Sequence, residues 1–315
     1  MATEPNTLLE MSRSLRLYIP DLPITLAEQF IRDRYRRILE ARDWSGLRRE
    51  AEFHLDNQKN DGTVDVTRND DEVIGNGTTF AATDVGRQFK VGQGSPIYTI
   101  TAVDVGLQVL TLDRTFGPAT ATDQTYFIVD AYVTPPSDFL RFLTIVDPLQ
   151  GWRLRHWITS MEMATIDPQR VNFGNPYILA DRMYNVETAG ASMPVPQYEA
   201  WPYNTTARTL YYTYKRRGAD LIQATDIPIW PIRSDAIVSG ALADAARWPG
   251  TTANPNPYFK SPQFWKTYDD DYRDKMIEIE RVDEDIYSTM LIQWPYSQVT
   301  TWAPLSAQWI QQHAL

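Results

Sequence analysis

The run Leu210-Tyr211-Tyr212-Thr213-Tyr214-Lys215-Arg216-Arg217, followed by Asp226-Ile227-Pro228 and then by Ser234-Asp235-Ala236-Ile237-Val238, decides the fold class, because a strand and a helix are written into it in close succession. Aromatic and β-branched residues fill the first segment. Its alternation sets Leu210, Tyr212 and Tyr214 on one face and Tyr211 and Thr213 on the other. The Asp-x-Pro link interrupts the pattern. Ser234-Asp235 then caps a helix whose Ile237, Val238, Ala241, Leu242 and Ala245 share a face, and Pro249-Gly250 stops it. Gly240, Ala241, Ala243, Ala245 and Ala246 carry almost no side chain, so another backbone can approach closely.

Downstream, Ser261-Pro262 reads as N-cap and first helical position. Trp265, Tyr268, Tyr272, Met276, Ile279, Val282, Ile286 and Met290 continue one apolar stripe, which at 1.5 Å per residue spans roughly 40 Å. Asp269, Asp270, Asp274, Glu278 and Asp285 fall on the other side. No Asp, Glu, Lys or Arg follows Asp285, while Trp294, Tyr296, Trp302, Trp309, Ile310 and Leu315 make residues 294–315 an uncharged aromatic tail. Such a segment would not stay solvated alone; it folds back on its own domain or docks on a partner.

Upstream, Thr25-Leu26-Ala27-Glu28 has the form of a capping box. It opens an amphipathic helix with Leu26, Phe30, Ile31, Tyr35, Ile38 and Leu39 inward and Arg32, Arg36 and Glu40 outward. Between Asp61 and Val133 the period changes to two. Thr63–Thr67, Arg87–Val91, Ile97–Ile100, Gln108–Leu112 and Tyr126–Val129 are short β runs, and Gly75-Asn76-Gly77 and Val105-Gly106 mark turns that need positive φ. A small antiparallel barrel or sandwich fits this spacing. Pro135-Pro136 closes it, and Ser137-Asp138 reads as the cap of a short turn. Phe139–Val146 and Trp152–Met163 are apolar runs that periodicity leaves open between strand and helix, and 167–209 reads as irregular chain with one or two strands. The expected class is α+β: residues 1–60 and 133–293 as a helical core with associated strands and a long C-terminal helix, 61–132 as an inserted β module, and 294–315 as a docking tail.

A chain of 315 residues with 43% apolar and 22% charged residues can bury a sizeable core. It has no cysteine, which removes disulfides, thiolate zinc sites and cysteine nucleophiles from consideration. Met-Ala-Thr-Glu-Pro carries no signal-peptide pattern, and no run approaches the ~20 apolar residues of a membrane span, so neither export by that route nor membrane insertion is expected. The net charge of −10 argues against gripping nucleic acid through its phosphates. The Arg-rich run from Arg32 to Arg37 is interleaved with acids and reads as a solvated or subunit-facing side. His54, His156 and His313 are too dispersed for a helical zinc pair, and Asp269-Asp270-Asp271 and Asp283-Glu284-Asp285 lack the alternating donors and Gly of a calcium loop. No P-loop, nucleophile elbow or dinucleotide fingerprint is present. No catalytic residue, metal ligand or cofactor is assigned.

The order Tyr198-Glu199-Ala200-Trp201-Pro202, the Leu210–Arg217 strand, Asp226-Ile227-Pro228 and the Ala-rich helix resembles the C-terminal half of head-to-tail adaptor (neck or connector) proteins of short-tailed bacteriophages. The cadence Val-Ile-Gly-Asn-Gly-Thr-Thr-Phe with Ile-Tyr-Thr-Ile-Thr-Ala-Val resembles β modules inserted in phage neck and tail proteins. The resemblance implies a non-enzymatic virion protein, made in the host cytoplasm, that assembles as a homo-dodecamer between portal and tail nozzle or tube. DNA then passes the bore without specific binding, past Asp269, Asp270 and Asp274, while the tail residues Trp294 to Leu315 dock on portal and the β module contacts tail fibres.

A rival of another class is a carbohydrate-binding or carbohydrate-cleaving tail component, since ten Trp and seventeen Tyr could supply sugar platforms. Within the β module, however, Phe80, Phe89, Tyr98, Phe116, Tyr126, Phe127 and Tyr132 mostly follow the apolar alternation and read as core, and there is no Trp. A soluble α+β protein of unrelated role is the third reading.

Overall fold

The structure, a computed structural model, describes residues 6–92, 94–185, 195–230, 233–252, 255–259 and 261–292, with the backbone alone for 183–185, 195 and 285–292. The chain divides into two compact units, one formed by residues up to Arg48 together with those from Arg217 onward, the other by Arg49–Arg216. Among the described residues the α-helices are Leu8–Tyr18 (α1), Ile24–Ala41 (α2), Ser160–Ile166 (α3), Ser234–Ala246 (α4) and Pro262–Ile292 (α5). None is long and apolar enough to cross a membrane.

In the first unit α1, α2, α4 and α5 pack around Leu8, Met11, Leu15, Ile31, Tyr35, Ile38, Trp44, Ile237, Leu242, Met276 and Ile279. The sequence reading passed over α1, although its start carries a full capping box. The Thr7 hydroxyl accepts the Glu10 N–H at 3.3 Å and the Glu10 carboxylate accepts the Thr7 N–H at 2.8 Å. Asp226 and the chain just before it supply the remaining acceptors: the carbonyls of Asp226 and Ala224 take the N–H groups of Leu8 and Leu9 at 2.9 and 3.0 Å.

The capping box expected at Thr25 does not form. The carbonyl of Pro23 accepts from Leu26 and Ala27, so the helix begins at Ile24 and Thr25 lies inside it, beyond the capping position. Glu28 pairs instead with Arg32, one turn on, at 3.3 Å. The arginine run is solvated at Arg36 and Arg37, which are exposed, but not at Arg34. Arg32 donates to the carbonyls of Leu221 and Ile222, Arg36 pairs with Asp220, and Arg34 is buried against Asp244 at 2.8 Å. Gly240 of α4 is the point of closest approach, because a Cβ there would fall 2.7 Å from Cδ of Arg34. Helix α4 is buried almost all round, beyond the single face expected of it.

The second unit holds strands Arg48–Leu55 (β1), Thr63–Val66 (β2), Glu72–Asn76 (β3), Gln88–Val91 (β4), Tyr98–Asp104 (β5), Val109–Leu112 (β6), Ala121–Gln124 (β7), Tyr126–Val129 (β8), Tyr132–Val133 (β9), Phe139–Asp147 (β10), Trp152–Arg153 (β11), Arg155–Thr159 (β12), Ile178–Asn185 (β13), Val195–Trp201 (β14) and Arg208–Arg216 (β15). Strands β2–β8 form one antiparallel sheet in the order β7-β2-β3-β6-β5-β4-β8. The sheet curls, so that β7 and β8, its two edges, are consecutive in the chain with only Thr125 between them. Val64, Val73, Phe80, Phe89, Tyr98, Leu110, Phe116 and Ile128 fill its interior. The positive φ expected near Val105-Gly106 falls instead on Gln108, at 54°. Its side chain secures that conformation through bonds to the Phe80 N–H at 2.7 Å and the Val105 carbonyl at 2.7 Å.

Residues 133–216 are not the helical core expected of them. Together with β1 and β9 they build two four-stranded sheets, β1-β15-β10-β11 and β12-β13-β14-β9, with α3 as the crossover that lets β12 and β13 pair in parallel. Strand β15 keeps the predicted faces: Leu210, Tyr212 and Tyr214 are buried while Tyr211 is exposed. Much of the aromatic content is core here, with Tyr212 stacked on Phe53 at 4.3 Å and Phe139 and Phe142 beside them. A buried Arg208–Asp147 pair at 2.6 Å fastens the start of β15 to the end of β10.

Candidate interaction surface

Helix α5 has 31 residues, roughly 46 Å at 1.5 Å per residue. Half-buried Tyr268 and Tyr272 and buried Met276, Ile279 and Asp283 form its inner face. Val282 is a correction to the predicted stripe: it is 56% exposed while Asp283 is 4% exposed. The next inward position after Ile279 lies four residues on, and Ser45 fills it with a polar partner, donating its N–H and hydroxyl to Asp283 at 3.1 and 2.5 Å.

Lys266, Asp270, Arg273, Asp274, Ile277, Glu278 and Arg281 are exposed along the outer side of the same helix. The expected acidic residues are thus interleaved with cations. Asp269 is half-buried and pairs with Arg273 at 2.9 Å, Asp270 lies 4.0 Å from the same guanidinium, and Asp274 is exposed. Phe264, Ile277 and Val282 add exposed apolar area to α5, and Leu17, Tyr18, Ile222 and Ile227 add more elsewhere in this unit. Arg233, just ahead of α4, bridges Asp235 at 2.8 Å and Glu278 at 2.5 Å, which fixes α5 against α4. These hydrogen bonds raise the Arg233 pKa further. Burial opposes ionisation of Asp235, yet Arg233 and Lys275 hold its carboxyl below the usual range.

Trp294, Tyr296, Trp302, Trp309, Ile310 and Leu315, and with them the proposed docking tail, lie outside the described residues, as does His313. His54 is exposed and meets Glu52 and Thr209. His156 is half-buried beside Phe142 at 5.9 Å. Among the described residues no group of three or more His, Asp or Glu side chains is placed to hold a metal ion. Trp157 of β12, 71% exposed, is a surface aromatic that the sequence reading left unresolved, because its segment had no readable period. No protein-family model matches the chain, and no curated protein matches it.

Proposed function

We propose that this chain is a structural virion protein of a short-tailed bacteriophage, a non-enzymatic subunit of a dodecameric adaptor ring between portal and tail that continues the DNA channel. On this reading the helical parts form the body of the ring and the curled sheet is a small inserted barrel at its periphery, where tail fibres would touch. The observation that carries the reading is α5: a helix of roughly 46 Å backed by its own unit on one face and leaving Phe264, Ile277 and Val282 exposed among alternating charges on the rest. A mixed face of this kind suits contact with a neighbouring copy, since apolar area supplies affinity and charge alternation sets register. Residues 294–315 would dock on portal through their uncharged aromatic side chains. Deleting 294–315 is expected to abolish co-sedimentation with portal rings; unchanged binding would remove the tail from the account. The acids of α5 would keep DNA sliding. Because Arg273 already offsets Asp269 and Asp270, Asp274→Asn is expected to have the largest single effect on DNA retention, and no change in a variant with all three acids neutralised would contradict a channel role.

Exposed Trp157 favours a second reading, a carbohydrate-binding or carbohydrate-cleaving tail component. Retention on host polysaccharide that disappears in Trp157→Ala would select it.

A further inference from the structure

A cleft of about 310 Å³ in the second unit gathers three arginines from three separate segments: Arg114 from between β6 and β7, Arg170 from the chain after α3, and Arg182 from β13. Among the described residues the only carboxylate lining it is Glu199, 4% exposed, whose Oε1 is engaged by Nε of Arg170 at 2.7 Å and by the Tyr203 hydroxyl at 2.8 Å. Near it, Lys90 is 2% exposed and donates to the carbonyl of Gln169. Burial pushes its ammonium pKa down, Asp167 opposes that and Arg170 adds to it. Asp167 contributes the second carboxylate, and it is already committed: it accepts the N–H groups of Arg170, Val171 and Asn172 at 2.8, 3.1 and 3.2 Å and the Trp201 indole N–H at 3.0 Å. Asp113, beside Arg114 at 3.4 Å, is a third. Four cations therefore meet three occupied carboxylates, and in the cleft wall itself three arginines face the single carboxylate of Glu199, a local positive excess in a chain of net charge −10.

The guanidinium groups are held in place. Arg182 lies 3.6 Å over the Tyr132 ring and donates to Gln197 at 2.7 Å; Arg114 lies 5.0 Å from the Tyr98 ring centre and donates to the Ile97 carbonyl at 2.7 Å. A guanidinium has five N–H donors, so both keep donors for a ligand while their planes are already fixed. Ser160 adds a hydroxyl to the wall. Excess positive charge partly removed from water is costly unless an anion balances it. A carboxylate is planar and satisfied by a single fork, whereas a tetrahedral oxyanion offers acceptors in several directions, as donors arriving from three separate segments require.

We propose that this cleft binds a phosphate-class oxyanion, free or as the monoester end of a larger molecule; its volume lies at the lower end of the range for small-ligand pockets. The inference does not rest on the adaptor reading. Isothermal titration of the full chain at low ionic strength with inorganic phosphate, phenyl phosphate and acetate tests it. Saturable binding of one phosphate per chain is expected, weakened about tenfold or more in Arg182→Gln and unchanged in Arg153→Gln, an exposed arginine of the same unit. Tighter binding of phenyl phosphate than of inorganic phosphate identifies an ester end as the source, and the reverse order identifies the free ion. Circular dichroism and thermal melting establish that Arg182→Gln is folded; should it not be, Arg114→Gln, whose side chain is 53% exposed, serves in its place. No saturable binding of either phosphate, acetate binding as tight as phosphate, or equal affinity in the arginine variants would overturn the proposal.

Discussion

Arg34 shows how a single residue ties the first unit together. Its guanidinium pairs with Asp244 of α4, lies 4.6 Å from the Tyr272 ring centre of α5, and runs along the bare backbone of Gly240. Both charges are largely withdrawn from water, but Asp244 also has Arg37 at 3.6 Å and Arg247 at 3.9 Å, so losing Arg34 weakens its compensation without removing it. Arg34→Ala is expected to cost about 2–3 kcal/mol in urea unfolding, chiefly through the lost hydrogen bond and lost packing of the stem, and Gly240→Ala, which puts a methyl into the arginine stem, about 1–3 kcal/mol. His156 gives a pH signature. Burial holds its pKa below the ordinary imidazole value, with the Leu154 backbone bond opposing. The unfolded chain therefore takes up the proton first, and this residue's contribution to stability falls as pH drops below 6.5 toward the folded value. His156→Phe is expected to lose less stability between pH 7.5 and 5.5 than the parent, by roughly 1 kcal/mol or less; identical slopes would mean that the imidazole is solvated.

At the scale of elements, α5 separates what a period can and cannot reveal. Ile279→Ala should cost about 2–4 kcal/mol, whereas Val282→Ala should stay within about 0.5 kcal/mol, because one packs inward and the other is exposed. The start of the helix at Pro262 and its inward residues as far as Ile279 were legible from spacing alone. The exchange of Val282 for Asp283 was not, since the partner that makes an acid acceptable inside is Ser45, 238 residues away in the chain. The two faces of β15 were legible for the same local reason. Helix α1 had a readable capping box but few turns of pattern behind it. In the arginine run at 32–37, the exposed Arg36 and Arg37 were legible, but the burial of Arg34 and the tethering of Arg32 were not, because their acceptors, Asp244, Leu221 and Ile222, come from distant segments. The arginine-lined cleft was invisible to motif reading, as its members are brought together only by the folding of the second unit.

For the whole molecule, the division at Arg48 and Arg217 makes the second unit one continuous stretch and the first a discontinuous one. A fragment spanning 49–216 carries its own buried clusters and its own ion pairs. It is expected to unfold cooperatively when expressed alone; a fragment without a thermal transition would show that it depends on the remainder. The adaptor reading is a claim about assembly, and native mass spectrometry of the full chain, alone and mixed with portal rings, tests it most directly. The account predicts a complex in which twelve copies join one portal, either added from monomers or docked as a preformed ring. A stable monomer or trimer that ignores portal and is retained on polysaccharide would contradict it.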